Sequence, residues 1–442
     1  MGHRFGTDGI RGAAGTEVSA DLALALGRAV GHRLGGPGSS VVIGRDTRRS
    51  GAMLSAGLIA GLTATGTDVV DLGVVTTPCL VHASAGAFAA GIMVSASHNP
   101  ADDNGLKVVI AGRKASPEVE AELERLIEDA SAIEPLGNAS LGRLRPDEVS
   151  VEGYRRHLAD AAGDAFDGLR LAIDCANGSA SVIAPDLFRS LGAEVTVLFD
   201  APDGVNINEA CGSTHPERLA ETVAAAGIQL GFAFDGDADR LIAADERGEL
   251  VDGDAVMGIC AIQRLAAGTL RNSLLVTTVM SNGGLERAVT QAGGRMVRTQ
   301  VGDRHVFEAM ERSDAVLGGE QSGHIIFRDR STTGDGLLTA IELVRAMRHE
   351  EGRTLSELAA RIPRLPQVMI NSAVRRRDDW QTDPEFAAAV ALAEERMGER
   401  GRILVRPSGT EPKIRIMVEG DDADEIDTIA RELASLAEAR LN

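Results

Sequence analysis

The stretch VVIGRDTRRSGAMLSAGLIAGLTATGTDVVDLG, residues 41–73, decides the architecture. It reads as an apolar strand, a polar turn, an amphipathic helix, a glycine and a second apolar strand. Such apolar runs fit strands buried on both faces, and a glycine between helix and strand fits a helix C-cap. The same order returns in LRLAIDCANGSASVIAPDLFRSLGAEVTVLF, 169–199, and in SLLVTTVMSNGGLERAVTQAGGRMVRTQ, 273–300. Each copy is a βαβ-like unit, so three related α/β domains are expected. The copies lie too far apart for a solenoid.

The pattern changes after the Pro-rich segment RIPRLPQ, 361–367, which reads as a linker. A strand-like VMINSAVRR leads to a helix at about 384–399, then to the strands RILVRP and KIRIMVEG and a terminal helix over 422–441. That order predicts a small α+β domain with an antiparallel sheet. The expected domains are 1–153, 154–254, 255–365 and 366–442. The polar stretch 131–150 suggests the first boundary, and no linker marks the second.

At 442 residues the chain exceeds one ordinary core, and 44% hydrophobic with 25% charged residues is a soluble, globular composition. No apolar run is long enough to span a bilayer, and the opening MGHRFGTDGIRG has no signal core, so a cytoplasmic protein is expected. Cys79, Cys175, Cys211 and Cys260 form no CxxC pair and read as reduced, buried thiols. A net charge of −20 disfavours nucleic acid and anionic membranes as partners. An anionic substrate would need a locally basic pocket, and arginines do cluster at the loops. Lysine occurs only at 107, 114 and 413, and two of the three lie beside candidate motifs.

GIMVSASHNP, 91–100, reads as a short strand running into a loop, because Asn-Pro is a turn signal. The strand would deliver Ser97 to an exposed loop at a sheet edge, as a candidate nucleophile. His98 is not expected to serve as its base, since adjacent side chains on an extended chain point apart.

FDGDADR, 234–240, places carboxylates at Asp235, Asp237 and Asp239 after an apolar strand. Three alternating carboxylates in a tight loop can converge on a hard cation such as Mg²⁺, and without a cation or a basic partner they would repel one another. An EF-hand loop is excluded, since Arg240 occupies the sixth position, where glycine is needed. Arg240 instead stands where it could hold a transferring phosphate. VRPSGTEPKIR, 405–415, offers Arg406, Ser408, Gly409, Thr410, Lys413 and Arg415; backbone amides, hydroxyls and flanking arginines suit a phosphate dianion. In LGGEQSGHIIF, 317–327, Glu320, Ser322 and His324 alternate, and an extended segment would put them on one face toward sugar hydroxyls. RFGTDGIRG, 4–12, carries Arg4 and Arg11 but no P-loop lysine.

Together FGTDGIRG, SASHNP, DGDADR, GEQSGH and RPSGTEPKIR, in this order over residues 5–415, resemble the α-D-phosphohexomutase superfamily. Gln321, the SASHNP form and the segments VMSNGGLE, VGDR and TTGDG resemble its bacterial phosphoglucosamine mutase branch; Gly283-Gly284 departs from the single glycine expected there. The resemblance implies four domains in a heart-shaped arrangement, three α/β with mixed sheets and a C-terminal antiparallel α+β domain. It implies that Ser97 carries a phosphoryl group and that Asp235, Asp237 and Asp239 hold Mg²⁺ with the Ser97 phosphate. Glu320 and Ser322 would bind sugar hydroxyls. Arg406, Ser408, Gly409, Thr410 and Arg415 would hold the phosphate that is not reacting, and Arg11, Lys107 and His324 would complete the site.

The implied reaction interconverts glucosamine 6-phosphate and glucosamine 1-phosphate through a 1,6-bisphosphate, supplying UDP-N-acetylglucosamine and cell-wall synthesis. Glucose 1,6-bisphosphate or glucosamine 1,6-bisphosphate would act as activator. Lys107 ranks first as general acid/base if nearby cations lower its pKa, with His324 second. Sugar phosphates are the expected partners, a homodimer is the family's expectation, and hinge motion about 361–367 would retain the bisphosphate. The competing readings are a phosphomannomutase/phosphoglucomutase, a phosphatase that loses the phosphoserine to water, and a non-catalytic sugar-phosphate sensor.

Overall fold

Apolar strands that alternate with helices and glycine stops fold here into the three expected βαβ units. The computed structural model describes residues 5–6, 8–147, 149–350, 352–407 and 412–442. Ser40–Arg45, helix Gly51–Ala64 and Asp68–Val74 form the first unit, its strands parallel. Arg170–Asp174, helix Ala184–Ser190 and Glu194–Leu198 form the second. Leu274–Thr278, helix Gly283–Gln291 and Arg295–Thr299 form the third.

Each sheet then grows in the same way. A strand adds parallel to the first strand of the unit, and the chain turns straight back as its antiparallel neighbour. In the first sheet these are Ala90–Val94 and Asp103–Ile110. In the second they are Leu230–Phe234 and Leu241–Ala244. In the third they are Leu317–Gly319 and Ile325–Phe327. The sheets are therefore mixed, with seven, five and four strands among the described residues. The loops at 95–102, 235–240 and 320–324 are equivalent hairpin turns in three copies of one plan.

The last sheet is different. Gln367–Ala373, Gly401–Pro407 and Lys413–Gly420 are all antiparallel, and helices Pro384–Met397 and Ala423–Arg440 bury Phe386, Ile414, Ile416, Val418, Ile426 and Leu433 between themselves and the sheet. One continuous core joins the second and third units, from Phe166, Phe188 and Phe232 to Leu285, Phe327 and Ile341, whereas the first and last sheets pack on their own clusters. Each such side chain removed from water contributes about 1.5–3 kcal/mol, so the second and third units are tied most firmly. The four cysteines are buried free thiols. No helix among the described residues is long and apolar enough to cross a membrane.

Candidate active site

Strand Ala90–Val94 is buried along its length and delivers Ser95 and Ser97 to the first hairpin turn. Ser97 is 1% exposed, not on an open edge as the sequence suggested, because the acidic loop of the second sheet covers it. That covering depends on Gly236, where a Cβ would lie 2.6 Å from the Ser97 carbonyl oxygen. Ser97 Oγ donates to Asp235 Oδ2 at 2.6 Å. Its N–H donates to Ser95 Oγ at 2.9 Å, and Ser95 Oγ donates to Asp46 Oδ2 at 2.7 Å. Ser95 is thus a structural hydroxyl.

Ser97 sits in the left-handed region at φ 54°. This breaks the alternation that would have turned His98 away, and Nδ1 of His98 comes to 3.3 Å from Ser97 Oγ. Burial, Arg240 and Arg11 push His98 down to about 4, so its ring is neutral at pH 7.

Asp235, Asp237 and Asp239 each place an oxygen within 4.8 Å of the others, and all three are buried. Oδ1 of Asp237 and Oδ1 of Asp239 have no hydrogen-bond partner. Burial, then Asp239 and Asp237, push Asp235 well above the usual carboxylate range. Burial acts the same way on Asp239, but His324, Lys107 and Arg240 outweigh it and hold that carboxyl well below the range. Hard oxygen donors, crowded, buried and partly unpartnered, fit a dication such as Mg²⁺. Arg240 donates its backbone N–H to Asp235 Oδ1 at 3.1 Å, while its buried Nε has no hydrogen-bond partner and stands 3.8 Å from Asp239 Oδ1. Nε of Arg11 is likewise buried and unpartnered, and Arg11 pairs with Asp8.

Lys107 lies on Asp103–Ile110, the strand that returns from the Ser97 turn. Its Nζ donates to Asp237 Oδ2 at 2.8 Å and stands 3.2 Å from Asp8 and 4.0 Å from Asp239. The sequence reading needed neighbouring cations to lower its pKa; the structure surrounds it with carboxylates. Burial alone would lower the ammonium pKa, but Asp237, Asp8 and Asp239 outweigh it and hold Lys107 protonated. His324 faces Asp239 at 3.6 Å through Nδ1 and Asp303 at 3.7 Å through Nε2. Burial opposes its charging, yet Asp239, Asp303 and Glu320 raise it to about 9. The Gly334 amide, however, donates to Nε2 at 3.1 Å.

Residues 320–324 are a hairpin turn, not the extended segment the alternation suggested, because Gly323 takes φ 93°. Glu320 and Ser322 still meet, Ser322 Oγ donating to Glu320 Oε2 at 3.5 Å, and Glu320 Oε1 accepts the Gly302 amide at 3.0 Å. Arg406 and Arg415 are directly opposed on the last hairpin, and burial and Arg415 lower the Arg406 pKa. Neither has an acidic partner among the described residues. Opposed like charges destabilise a sheet, and an anion between the two guanidinium groups would relieve that cost. Ser408, Gly409 and Thr410, and Arg4, lie outside the described residues.

Several side chains of the site gave no motif signal. Thr77 Oγ1 donates to Asp237 Oδ2 at 2.6 Å. Lys114 joins Asp8 to Asp303, across the first and third units. A lysine kept in an arginine-rich chain was the available hint for Lys114; the rest act through pairings between distant segments.

Profiles described as phosphoglucomutase/phosphomannomutase alpha/beta/alpha domains I, II and III match residues 2–134, 152–248 and 252–365, and the C-terminal domain profile matches 369–436. The phosphoglucosamine mutase of Moorella thermoacetica is 49% identical over 99% of both chains, and that of Symbiobacterium thermophilum is 51% identical over 100% of both. A phosphoglucomutase/phosphomannomutase family protein from Burkholderia thailandensis superposes with TM-score 0.84 at 28% identity, over 100% of this chain and 99% of that one. Aspergillus fumigatus N-acetylphosphoglucosamine mutase shares the fold at TM-score 0.70 and 20% identity, over 99% and 96%. Since four consecutive domain profiles and full-length relatives near one-half identity coincide, the chain belongs to the phosphoglucomutase/phosphomannomutase family.

Proposed function

We propose that the chain is a phosphoglucosamine mutase, interconverting glucosamine 6-phosphate and glucosamine 1-phosphate through a phosphoserine at residue 97. The observation that carries this reading is the Ser97 hydroxyl, hydrogen-bonded at 2.6 Å to a buried cluster of three carboxylates, in a chain whose full-length relatives bear that name.

In the first half-reaction the P–Oγ bond of phosphoserine 97 breaks and a P–O bond forms to the sugar 1-hydroxyl, whose proton leaves. The resulting glucosamine 1,6-bisphosphate turns around in the cleft. Its 6-phosphoryl group then returns to Ser97, and the sugar 6-oxygen takes up a proton. Asp235, Asp237 and Asp239, with the Ser97 phosphate, would hold Mg²⁺, which supplies charge neutralisation at the phosphoryl group in transfer.

Arg240 and Arg11, each with a buried Nε that has no hydrogen-bond partner, bind phosphoryl oxygens. In each half-reaction the proton of the attacking hydroxyl ends on the oxygen from which phosphorus departs, and Lys107, on the strand that returns from the Ser97 turn, relays it by giving one proton and taking the other. His324 orients Asp239. Glu320 and Ser322 bind hydroxyls in both poses, and Arg406 and Arg415, with Ser408, Gly409 and Thr410, seat the idle phosphate. Glucose 1,6-bisphosphate or glucosamine 1,6-bisphosphate primes Ser97. We place the enzyme in the cytoplasm, acting on sugar phosphates for amino-sugar and cell-wall precursor synthesis, with no nucleic-acid or membrane partner and possible assembly as a homodimer.

The test is a coupled assay with Mg²⁺ and catalytic glucose 1,6-bisphosphate, comparing glucosamine, glucose and mannose 6-phosphates. A preference for glucosamine 6-phosphate that Ser97→Ala abolishes, by at least about 10³-fold in kcat, supports the reading. Equal or better turnover of the other two moves the chain to the phosphomannomutase/phosphoglucomutase branch.

A further inference from the structure

We propose that Arg48 and Asn208 are the positioning residues of the phosphoryl-carrying serine, clamping the Ser97 carbonyl from two domains so that Oγ returns to one place in both half-reactions. This rests on reading Ser97 as the phosphoryl carrier.

Arg48 is 3% exposed, and every N–H of its guanidinium is engaged. Nε donates to Asp46 Oδ2 at 2.9 Å. Nη1 donates to the carbonyls of Pro100 and Asp103, the latter at 3.0 Å. Nη2 donates to the carbonyls of Ser97 at 2.9 Å and Asn99 at 2.8 Å. Three carbonyls of the turn and that of Asp103, which opens the returning strand, thus converge on one side chain. From the second unit, Asn208 Nδ2 donates to two of the same carbonyls, Ser97 at 2.9 Å and Asn99 at 3.0 Å. Asn208 is itself left-handed at φ 59°, and its own N–H is fixed on the Ala176 carbonyl at 2.9 Å.

The clamp answers a physical need. A non-glycine residue in the left-handed region costs about 1–2 kcal/mol, and Ser97 holds that conformation at the centre of the site. Its N–H is tied to Ser95 Oγ and its carbonyl to two donors, so side-chain rotation is the freedom left to it. A serine that gives a phosphoryl group to one end of a sugar and retakes one from the other end must present Oγ identically each time. Lysine could not replace Arg48, because a compact ammonium with three donors does not span four carbonyls. Neither residue reaches Oγ, so both act through the backbone of Ser97.

The experiment uses full-length wild type, Asn208→Asp and Arg48→Lys. Asn208→Asp keeps size and left-handed tolerance but exchanges the donor for an acceptor. Glucose 1,6-bisphosphate is the phosphoryl donor; Ser97 phosphorylation is followed by intact mass and by the phosphoserine ³¹P resonance, alongside kcat, KM and the melting midpoint. The expected result for Asn208→Asp is a fall in kcat of about 30- to 100-fold, the scale of a small misplacement of reacting atoms, with KM within about threefold and a shifted or split resonance. If Arg48→Lys does not fold, Asn208→Asp decides alone. Wild-type kcat with an unchanged resonance, or a raised KM at unchanged kcat, overturns the proposal. A wild-type protein that takes no phosphoryl group on Ser97 overturns the functional reading, and this inference with it.

Discussion

The hydroxyl of Thr77 belongs to the first unit, yet it donates to Asp237 of the second. A carboxylate oxygen held this way keeps its neighbouring lone pairs aimed into the acidic cluster, and partners that orient metal-binding carboxylates typically matter about 10- to 100-fold in metal affinity. Thr77→Val is nearly the same size and removes the donor. It is expected to weaken Mg²⁺ half-saturation about tenfold while kcat at saturating Mg²⁺ stays within a few-fold; titration of activity with Mg²⁺ checks this. At this scale the sequence is legible where chemistry sits in one contiguous run, as with Asp235, Asp237 and Asp239. It is silent where a role depends on pairing, as for Asp8, Asp46, Arg48, Thr77, Asn208 and Asp303. His98 was misplaced because nothing in SASHNP announces the positive φ of Ser97.

At the scale of elements, the last hairpin opposes Arg406 to Arg415 at a cost to its own sheet. Arg415→Gln should relieve that repulsion. The expected outcome is an unchanged or raised melting temperature together with a raised KM for sugar phosphate, read by calorimetry and steady-state kinetics; a lowered melting temperature would refute it. A second element is the joint between the third unit and the last sheet. Glu419, fully buried, accepts the Gly283 amide at 2.8 Å and Arg402 Nε at 2.9 Å, while Arg402 reaches back to the carbonyls of Val279 and Ser281. A Cβ on Gly284 would lie 1.6 Å from the Pro363 carbonyl oxygen, so this glycine is what lets the linker pass.

Beneath that joint Asp254 accepts the Asn282 amide at 2.8 Å, and its Oδ1 has no partner. Burial, with smaller contributions from Asp252 and Glu419, pushes its carboxyl from 3.8 up to about 7. Below about pH 4 both folded and unfolded chains are protonated there and the stability is intact. From about pH 4 to 7 only the folded state keeps the proton, so stability falls as pH rises, and above about 7 the loss is constant, on the order of a few kcal/mol. Asp254→Asn keeps the acceptor for Asn282. It should be more stable than wild type at pH 8 and no more stable at pH 4, by urea unfolding at the two values.

For the whole molecule, the three βαβ units were legible because apolar runs, helix faces and glycine stops repeat locally. Their convergence was not, because the equivalence of the turns at 95–102, 235–240 and 320–324 is a matter of which strands pair. Ion pairs cross between the first and third units. Lys114 pairs with Asp303, Arg304 with Glu120 at 2.6 Å, and Arg113 with Glu311 at 2.6 Å, around a cavity of about 210 Å³ walled by Val81, Met93, Val109, Phe307 and Ile326. Lys114→Met and Asp303→Asn should each lower kcat, and the double variant should lose much less than the two losses combined, since either change breaks the same link. Strict additivity in that cycle would show that the pair does not act as a unit.

The repeated hairpin has a consequence for how such a site could come to exist. Three equivalent turns facing one centre are what a closed ring of identical subunits builds at its axis. A ring of that kind must repeat itself: a serine three times, or an acidic triplet three times, never one of each. Strung along a single chain, the copies are released from symmetry. One turn here carries Ser97, another the three crowded aspartates and the third Glu320, a division that no homotrimer could encode.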